Sequence, residues 1–281
     1  MVICIMYIDT HAHINFNAFR QDKDEVIRRS LDNDIWMILV GADIKTSRRA
    51  LELANKYEKG VYAAVGLHPI HAMGEEAGEE AEISQEEFNY SEYEKVAKFE
   101  KVVAIGEIGL DYYHLGKVKD KAKAKILQKN IFIKQLELSG ALNLPVIIHC
   151  REAHNDLMAI LKDFKKEYRH LLPKGRAWGV MHCYSGDEDM AWEYFSLGLN
   201  ISFTGLITFS KQWDDLIRKL PNDKFMIETD CPFMTPEPFR GQRNESRLVV
   251  NVAKRISEIK SIELKKIEEI TTNNAKEFFR I

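Results

Sequence analysis

Two histidines near the start of the chain have a spacing that suits metal binding. His11 and His13 are two residues apart in a segment that follows an apolar run. Because side chains alternate along an extended chain, both imidazoles would face the same side and could reach one ion. A single histidine in an apolar strand is more often a hydrogen-bonded core residue, whereas this pair favours a metal site. Four further side chains of ligand type follow short apolar runs, and they are Glu107, His149, His182 and Asp230.

The types of these six side chains indicate the metal and the chemistry. Imidazoles and carboxylates suit Zn²⁺, Mn²⁺ and related ions, whereas Mg²⁺ favours an all-oxygen set. Six groups are more than a four-coordinate catalytic zinc needs. Shared between two ions about 3.5–4 Å apart, with one carboxylate bridging, they would activate a water molecule. The sequence therefore predicts a hydrolase with two divalent metal ions, whether zinc, manganese or magnesium.

Other polar residues beside these positions have predicted roles of their own. Asp230 would touch both metal and water, so it could also take the proton of the water as a general base. Glu228 comes two residues earlier, where it would either share the same face or orient another ligand. The cysteines that adjoin predicted ligands should point away from them, because strand neighbours face opposite sides. These cysteines are Cys150, Cys183 and Cys231.

The elements that must position these residues alternate between two kinds of run. Short β-branched runs favour strands buried on both faces, and longer amphipathic runs favour helices. The predicted strands are Ile3–Asp9, Trp36–Gly41, Val61–Leu67, Val102–Ile108, Pro145–His149, Gly179–His182, Asn200–Thr204 and Phe225–Glu228. The predicted helices are Asp24–Asn33, Lys45–Tyr57, Tyr90–Phe99, Ala122–Leu142, Asn155–Phe164, Glu188–Leu197, Gln212–Lys219, Glu245–Ile259 and Leu264–Phe279.

Eight β-then-α units predict an α/β fold of the (β/α)₈ TIM-barrel type, with residues 1–281 as a single catalytic domain. A doubly wound open sheet is the alternative. That fold normally carries a glycine-rich phosphate turn after its first strand. Here the corresponding place holds Asp9-Thr10-His11-Ala12-His13 instead.

Composition and charge restrict the class of protein further. The chain has 45% hydrophobic and 30% charged residues and a net charge of −3, as an ordinary globular protein does. A dedicated nucleic-acid binder usually has a basic excess, although a metal-lined pocket can hold phosphate locally. The first apolar run is too short for a signal peptide, and no run is long enough to span a membrane. We therefore expect a cytoplasmic protein with no membrane association and no obligate protein partner.

Seven motifs, in order along the chain, carry a family resemblance. They are Asp9-Thr10-His11-Ala12-His13, Gly66-Leu67-His68-Pro69, Gly106-Glu107-Ile108-Gly109-Leu110-Asp111-Tyr112, Pro145-Val146-Ile147-Ile148-His149-Cys150-Arg151-Glu152-Ala153, His182-Cys183-Tyr184-Ser185-Gly186, Glu228-Thr229-Asp230 and Pro238-Phe239-Arg240-Gly241-Gln242-Arg243-Asn244-Glu245. This set resembles the TatD family of metal-dependent deoxyribonucleases, within the amidohydrolase-like barrels. With its His-x-His pair, the chain is similar to the branch that has a complete two-metal set.

The resemblance implies how the ligands are shared. One ion would be held by His11, His13 and Asp230. Glu107 would bridge to a second ion, held by His149 and His182. His68 would lie beside the metals and contact substrate phosphate or aid proton transfer; otherwise it is a structural histidine after a strand.

Several residues near these ligands are candidates for substrate contact. Arg151 could bind a phosphate through two hydrogen bonds, and Tyr184 could stack on a base. Arg240 lies in a polar loop after the last strand, where Arg243 and Glu245 would either pair with each other or meet substrate. The predicted substrate-binding residues are His68, Arg151, Tyr184 and Arg240.

The substrate has a leading hypothesis and two alternatives. DNA, as single strands or 3′ ends, would be cleaved by metal-activated water. The first alternative keeps the metals and hydrolyses an ester, lactone or amide, including an ester-linked tRNA adduct. The acidic segment Gly74–Glu87 follows His68 and would repel a polyanion. The second alternative is a metal-dependent scaffold, against which the complete ligand set argues.

Overall fold

Eight parallel strands form one sheet in the part of the chain that the computed structural model describes, residues 6–73, 86–172 and 176–281. They follow one another in chain order, and each neighbouring pair is parallel. A parallel bridge between Ala12 and Cys231 brings the first strand next to the segment after the last. The nearly closed barrel that results confirms the predicted TIM-barrel fold. The strands are β1 (Tyr7–Ala12), β2 (Ile35–Val40), β3 (Val61–Val65), β4 (Val102–Asp111), β5 (Val146–Arg151), β6 (Gly179–Met181), β7 (Leu199–Phe203) and β8 (Phe225–Ile227).

Helices follow the strands along the chain, as the alternating pattern predicts. They are α1 (Lys23–Leu31), α2 (Ile44–Ala54), α3 (Tyr90–Ala97), α4 (Lys121–Leu142), α5 (His154–Glu167), α6 (Glu188–Leu197), α7 (Asp214–Lys219), α8 (Val249–Lys260) and α9 (Leu264–Phe279). The predicted bounds of α6 and α9 match. Helix α8 begins four residues later than predicted, because residues 246–248 form a 3₁₀ turn and Glu245 is extended.

Two strands differ from their predicted bounds in ways that affect the site. β1 runs on to Ala12, so that His11 lies within the strand rather than after it; residues 1–5 lie outside the described residues. β4 continues to Asp111, because Leu110 and Asp111 pair with the end of β5. Both extensions place polar side chains within strands, where the sequence predicts the loops that follow.

Two glutamines on α4 fix the ends of β3 and β4. The Leu67 backbone N–H donates to the Gln135 side-chain oxygen at 2.7 Å, and the Leu67 carbonyl accepts from the Gln135 side-chain nitrogen at 3.0 Å. The Gln128 side chain makes the same pair of bonds with the backbone of Asp111, both at 2.9 Å. The two glutamines are buried and seven residues apart, hence on one face of the helix. They therefore fix the segments at the ends of β3 and β4 to the long helix α4.

The acidic segment Gly74–Glu87 lies outside the described residues except for its last two. Glu86 accepts hydrogen bonds from the Ile44 backbone (3.0 Å) and the Tyr93 hydroxyl (2.8 Å). The part next to α3 is thus tied to the barrel. Among the described residues, no helix combines the length and the apolar character that crossing a membrane requires.

Candidate metal centre

Glu107 lies in the middle of a cluster of imidazoles and divides its two carboxylate oxygens between two sides. Its Oε2 lies 3.4 Å from His11 Nε2 and 3.7 Å from His13 Nε2. Its Oε1 faces three other nitrogens, which are His149 Nδ1 at 2.8 Å, His68 Nε2 at 3.5 Å and His182 Nε2 at 3.6 Å. Since each oxygen has its own set of nitrogens, the carboxylate has the placement of a bridge between two cation sites.

Asp230 brings a second carboxylate to this cluster from the segment after β8. Its Oδ1 lies 3.4 Å from His13 Nε2 and 3.9 Å from His11 Nε2. Its backbone N–H donates to the His11 carbonyl at 2.8 Å, which fixes this segment against β1. The structure thus brings all six predicted ligands together. The side-chain groups close enough to share one cation are His11–His182–Asp230, His11–His13–Glu107 and His68–Glu107–His149.

Two of these histidines are oriented through the ring nitrogen that faces away from the cluster. His13 Nδ1 donates to the Val40 carbonyl at 2.9 Å, and His182 Nδ1 lies 2.8 Å from Glu228 Oε1. A neutral imidazole carries one proton, so these outer contacts leave the inner Nε2 free to bind a cation. Glu228 is itself held by the Ser202 hydroxyl at 2.6 Å. Of its two predicted roles, the contacts of Glu228 favour the orientation of a neighbouring histidine.

Asp111 is a site residue that the sequence analysis did not single out. Its Oδ2 accepts from His149 Nε2 (3.0 Å) and His114 Nδ1 (2.8 Å), and its Oδ1 accepts from the His114 backbone (2.9 Å). Both ring nitrogens of His149 thus face a carboxylate, since Nδ1 lies 2.8 Å from Glu107 Oε1. When a cation displaces the proton on Nδ1, the bond to Asp111 keeps the other proton on Nε2 and leaves Nδ1 as a lone pair. The signal available in the sequence was an aspartate four residues after Glu107 in the same motif. Its register with the end of β5 is known only from the structure.

His68 differs from these histidines in the direction of its proton. The Ile70 N–H donates to His68 Nδ1 at 3.2 Å, so the proton of the neutral ring is on Nε2. That nitrogen is the one that faces Glu107. Burial lowers the pKa of His68 to about 4, which makes the ring neutral near pH 7. His68 therefore offers the centre an N–H donor rather than a lone pair.

The cluster is electrostatically arranged for positive charge. Burial alone would raise the pKa of Glu107, but the surrounding imidazoles, His68 and His182 foremost, hold it well below its ordinary range. Burial alone would lower the pKa of His182, but Glu228 and Glu107 raise it to about 10. Divalent cations compete with protons for such groups. The negative charge of the buried carboxylates can thus be balanced either by protons on the imidazoles or by divalent cations.

Asp9, the first residue of the first motif, does not join the cluster but hydrogen-bonds the backbone segments that carry His11 and Asp230. Its carboxylate accepts from the Thr229 backbone (2.8 Å), the Thr229 hydroxyl (2.6 Å) and the His11 backbone (3.3 Å). Burial raises the pKa of Asp9 to about 7. These bonds link β1 to the segment after β8 and so fix His11 relative to Asp230.

The predicted substrate-binding residues have different environments. Arg151 ends β5 and Arg240 lies in the loop after β8, and both are exposed. Tyr184 is only 3% exposed, and its hydroxyl donates to the Asp187 carbonyl at 2.6 Å, so its ring is not free for a base. The cysteines that the structure describes belong to none of the cation-binding groups, and they are Cys150, Cys183 and Cys231.

The loop after β8 is held closed by ion pairs, which is one of the two roles predicted for Arg243 and Glu245. Arg243 pairs with Asp22 and lies 3.5 Å from Glu245. Glu245 in turn accepts two hydrogen bonds from Arg29, at 2.7 and 2.8 Å. Asn244, fully buried, donates to the Thr229 and Phe233 carbonyls nearby. The loop is thus a fixed part of the wall beside the cluster.

A parallel barrel with buried imidazoles and carboxylates at its strand ends defines a metal-dependent hydrolase of the TIM-barrel class. A family model described as TatD related DNase matches residues 8–280, and the chain belongs to this family. It is 39% identical to the metal-dependent hydrolase YabD of Bacillus subtilis, over 98% of this chain and 100% of YabD.

Two other comparisons extend this result. The chain is 29% identical to TatD of Erwinia tasmaniensis, named a 3′-5′ ssDNA/RNA exonuclease, over 97% of this chain and 99% of that protein. The crystal structure of YjjV, a TatD homologue from Escherichia coli, superposes with a TM-score of 0.82 at 30% identity, over 99% of this chain and 100% of YjjV. The family resemblance predicted from the motifs is confirmed, as is a metal-dependent hydrolase.

Proposed function

We propose that this protein is a deoxyribonuclease that holds two divalent metal ions and cleaves phosphodiester bonds in single strands or at 3′ ends. The observation that supports two metal ions is the placement of the Glu107 carboxylate, because its two oxygens face separate sets of histidine nitrogens. Similarity to a protein named as a single-strand exonuclease supports the nucleic-acid part.

The residues present fit two such ions. His11, His13 and Asp230 would hold one, and His149 and His182 the other, with Glu107 between them. Outer hydrogen bonds already turn the lone pairs of His13 and His149 inward. Divalent ions bound in this way would lower the pKa of a water and balance the charge on the attacking and leaving oxygens.

Other side chains at the site would accept the proton of the water, donate a proton and bind phosphate. The Asp230 side chain is more exposed than that of Glu107, at 12% against 6%, so Asp230 is the better acceptor for the proton of an attacking water. His68 would donate its Nε2–H to a phosphate oxygen or to the leaving group. Arg151 and Arg240, exposed at the mouth, would hold neighbouring phosphates.

The test combines metal analysis with a substrate panel. A labelled single-stranded DNA is incubated with the protein and Mg²⁺, Mn²⁺ or Zn²⁺, beside ester, lactone and amide substrates. We expect cleavage of the DNA and about two metal ions per chain, the number set by a bridged two-metal site. Intact DNA together with cleavage of an ester-linked tRNA adduct or a lactone would replace this proposal by the acyl-hydrolase alternative.

Two variants connect that activity to the cluster. His13→Ala and Glu107→Ala should abolish turnover and lower the metal content while the barrel stays folded, because the apolar core does not depend on its rim. His170→Ala is the matched control, since His170 is exposed in the turn after α5. Equal loss of activity in the control, or full activity without Glu107, would contradict the proposal.

A further inference from the structure

Exposed aromatic rings lie around the end of the barrel that carries the metal centre. Within the described residues, Tyr113 (52% exposed) follows β4, Phe209 (40%) follows β7, and Phe233 (38%) follows β8. Strand carboxyl ends share one face of such a barrel. These rings are therefore set beside the cluster, whereas Phe99, 55% exposed, lies between α3 and β4 at the opposite end.

Phe233 is the one of these three exposed rings that contacts the ring of a predicted ligand, and it lies farther from His13 than Phe16, which stacks on the same imidazole at 4.3 Å between centroids. The Phe233 ring centroid lies 6.5 Å from that of His13. Its backbone N–H donates to the Asp230 carbonyl at 2.9 Å, and its own carbonyl accepts from Asn244 at 2.6 Å. The backbone is thus fixed on both sides while the ring stays open. The exposed part of this ring, beside its edge contact with His13, is available to a ligand next to the metal centre.

The side chains of Phe209 and Arg240 stack on each other in the loops after β7 and β8, on the same side of the barrel mouth as Phe233. The guanidinium of Arg240 lies 3.9 Å from the centroid of the Phe209 ring. Arg240 Nη1 also donates to the Thr235 carbonyl at 3.1 Å, which holds the guanidinium in place. The two loops are in close contact, since a Cβ at Gly205 would come within 2.1 Å of the Met234 carbonyl oxygen.

A second ring–guanidinium pair lies beside the ends of β4 and β5. The guanidinium of Arg151 lies 3.8 Å from the centroid of the Tyr113 ring. Arg151 is two residues after His149 and pairs in register with Asp111, so this pair adjoins the other side of the cluster. Rings and guanidinium groups therefore flank the metal centre on both sides.

The two arginines differ from other arginines near the loop after β8 in their ion pairing. In the described part of the chain, neither Arg151 nor Arg240 lies in an ion pair with a carboxylate, whereas Arg243 and Arg29 do. With its face on a ring, a guanidinium still offers its N–H edge to a phosphate. Guanidinium groups without a carboxylate partner, beside partly exposed rings, suit a polyanion whose bases are unpaired.

We propose that Phe233, the Arg240–Phe209 pair and the Arg151–Tyr113 pair form base-stacking and phosphate-binding subsites for a single-stranded polynucleotide that crosses the metal centre. Aromatic faces stack on any base, which makes such binding tolerant of sequence, and they need bases that are not already stacked in a duplex. The inference rests on the proposed function and specifies its substrate as a strand several nucleotides long.

Stacking on Phe233 has a direct optical test. The metal-loaded protein is titrated into a phosphorothioate oligonucleotide, which resists cleavage and carries 2-aminopurine near its 3′ end, and quenching of the fluorescent base is recorded. We expect Phe233→Ala to weaken binding about 5- to 150-fold, the range for one lost stack, and to reduce quenching. Phe233→Trp should restore both, and Phe99→Ala, the matched control, should change neither.

The arginines have a second readout. Arg240→Gln should weaken binding and make it less dependent on salt, since each lost phosphate contact lowers the slope of log K against log salt by about 0.7 for single strands. A duplex of the same sequence should bind more weakly than the single strand. Unchanged affinity in both Phe233→Ala and Arg240→Gln, or equal binding of duplex and single strand, would overturn the inference.

These outcomes separate the two proposals. If the oligonucleotide binds through Phe233 but an unmodified strand is not cleaved with any of the three metals, the inference stands and the nuclease proposal fails. If the strand is cleaved with the same KM and kcat in wild type and Phe233→Ala, and quenching is also unchanged, the nuclease proposal stands and the inference fails.

Discussion

Replacing Asp111 by asparagine tests the orientation of the metal centre at a residue that would not touch the metal. Asp111 Oδ2 accepts from two imidazoles, His149 Nε2 at 3.0 Å and His114 Nδ1 at 2.8 Å. In Asp111→Asn the Oδ1 atom can still accept from the His114 backbone. The amide nitrogen, however, would then point N–H groups at two ring nitrogens that now donate.

The conflict is relieved when His149 moves its proton to the nitrogen that faces Glu107. That nitrogen then no longer offers a lone pair. Loss of such an outer carboxylate usually weakens metal binding about 10- to 100-fold, which corresponds to about 1.4–2.7 kcal/mol. We expect this loss in affinity for one metal equivalent, because the nitrogens of His11 and His13 are not tied to Asp111.

The assay is a metal titration against a competing chelator at fixed pH, with urea unfolding measured in parallel. Asp214→Asn is the control, because Asp214 on α7 is a partly buried carboxylate whose strong partner, Arg255 at 2.6 Å, is not an imidazole of the cluster. Metal affinity within twofold of wild type in Asp111→Asn would refute the reasoning, as would an equal loss in Asp214→Asn.

Three further predictions follow from particular contacts. Gln135→Leu leaves the Leu67 N–H and carbonyl buried without their partner, which should lower the free energy of unfolding by about 2–5 kcal/mol in urea titrations; a loss below about 1 kcal/mol would contradict this. Burial pushes the pKa of Glu245 up, but Arg29 and Arg247 bring it below 4.5. Its ion pairs therefore stabilise the fold above that pH and are lost as the pH falls and the carboxylate takes up a proton. The difference in the free energy of unfolding between wild type and Glu245→Gln should narrow as urea melts are repeated at lower pH, and a constant difference would speak against this. His68→Gln should keep its metal ions but lose about 10²- to 10⁴-fold in kcat, because His68 donates a proton rather than a lone pair; loss of metal along with kcat would show that His68 is a ligand.

Much of the fold could be predicted because it depends on local patterns. Apolar strands closed by polar residues and separated by amphipathic helices require only neighbours in sequence, and α6 and α9 were predicted with their observed bounds. Errors fall at element ends, as in β1 and β4, where pairing with the adjacent strand decides how far each strand continues. Local propensity does not contain that information.

The sequence by itself determined which side chains would gather at one rim, because strand ends share a face in a parallel barrel. It also determined the family, through motifs that keep their order. Only the tertiary structure decided how Glu107 divides its oxygens, which nitrogen of His68 holds the proton, and that Asp111 orients His149. The features of Glu107 and Asp111 depend on close contacts between residues far apart in the chain, which follow from packing rather than from spacing. The proton of His68 depends on the local backbone conformation that brings the Ile70 N–H to its ring.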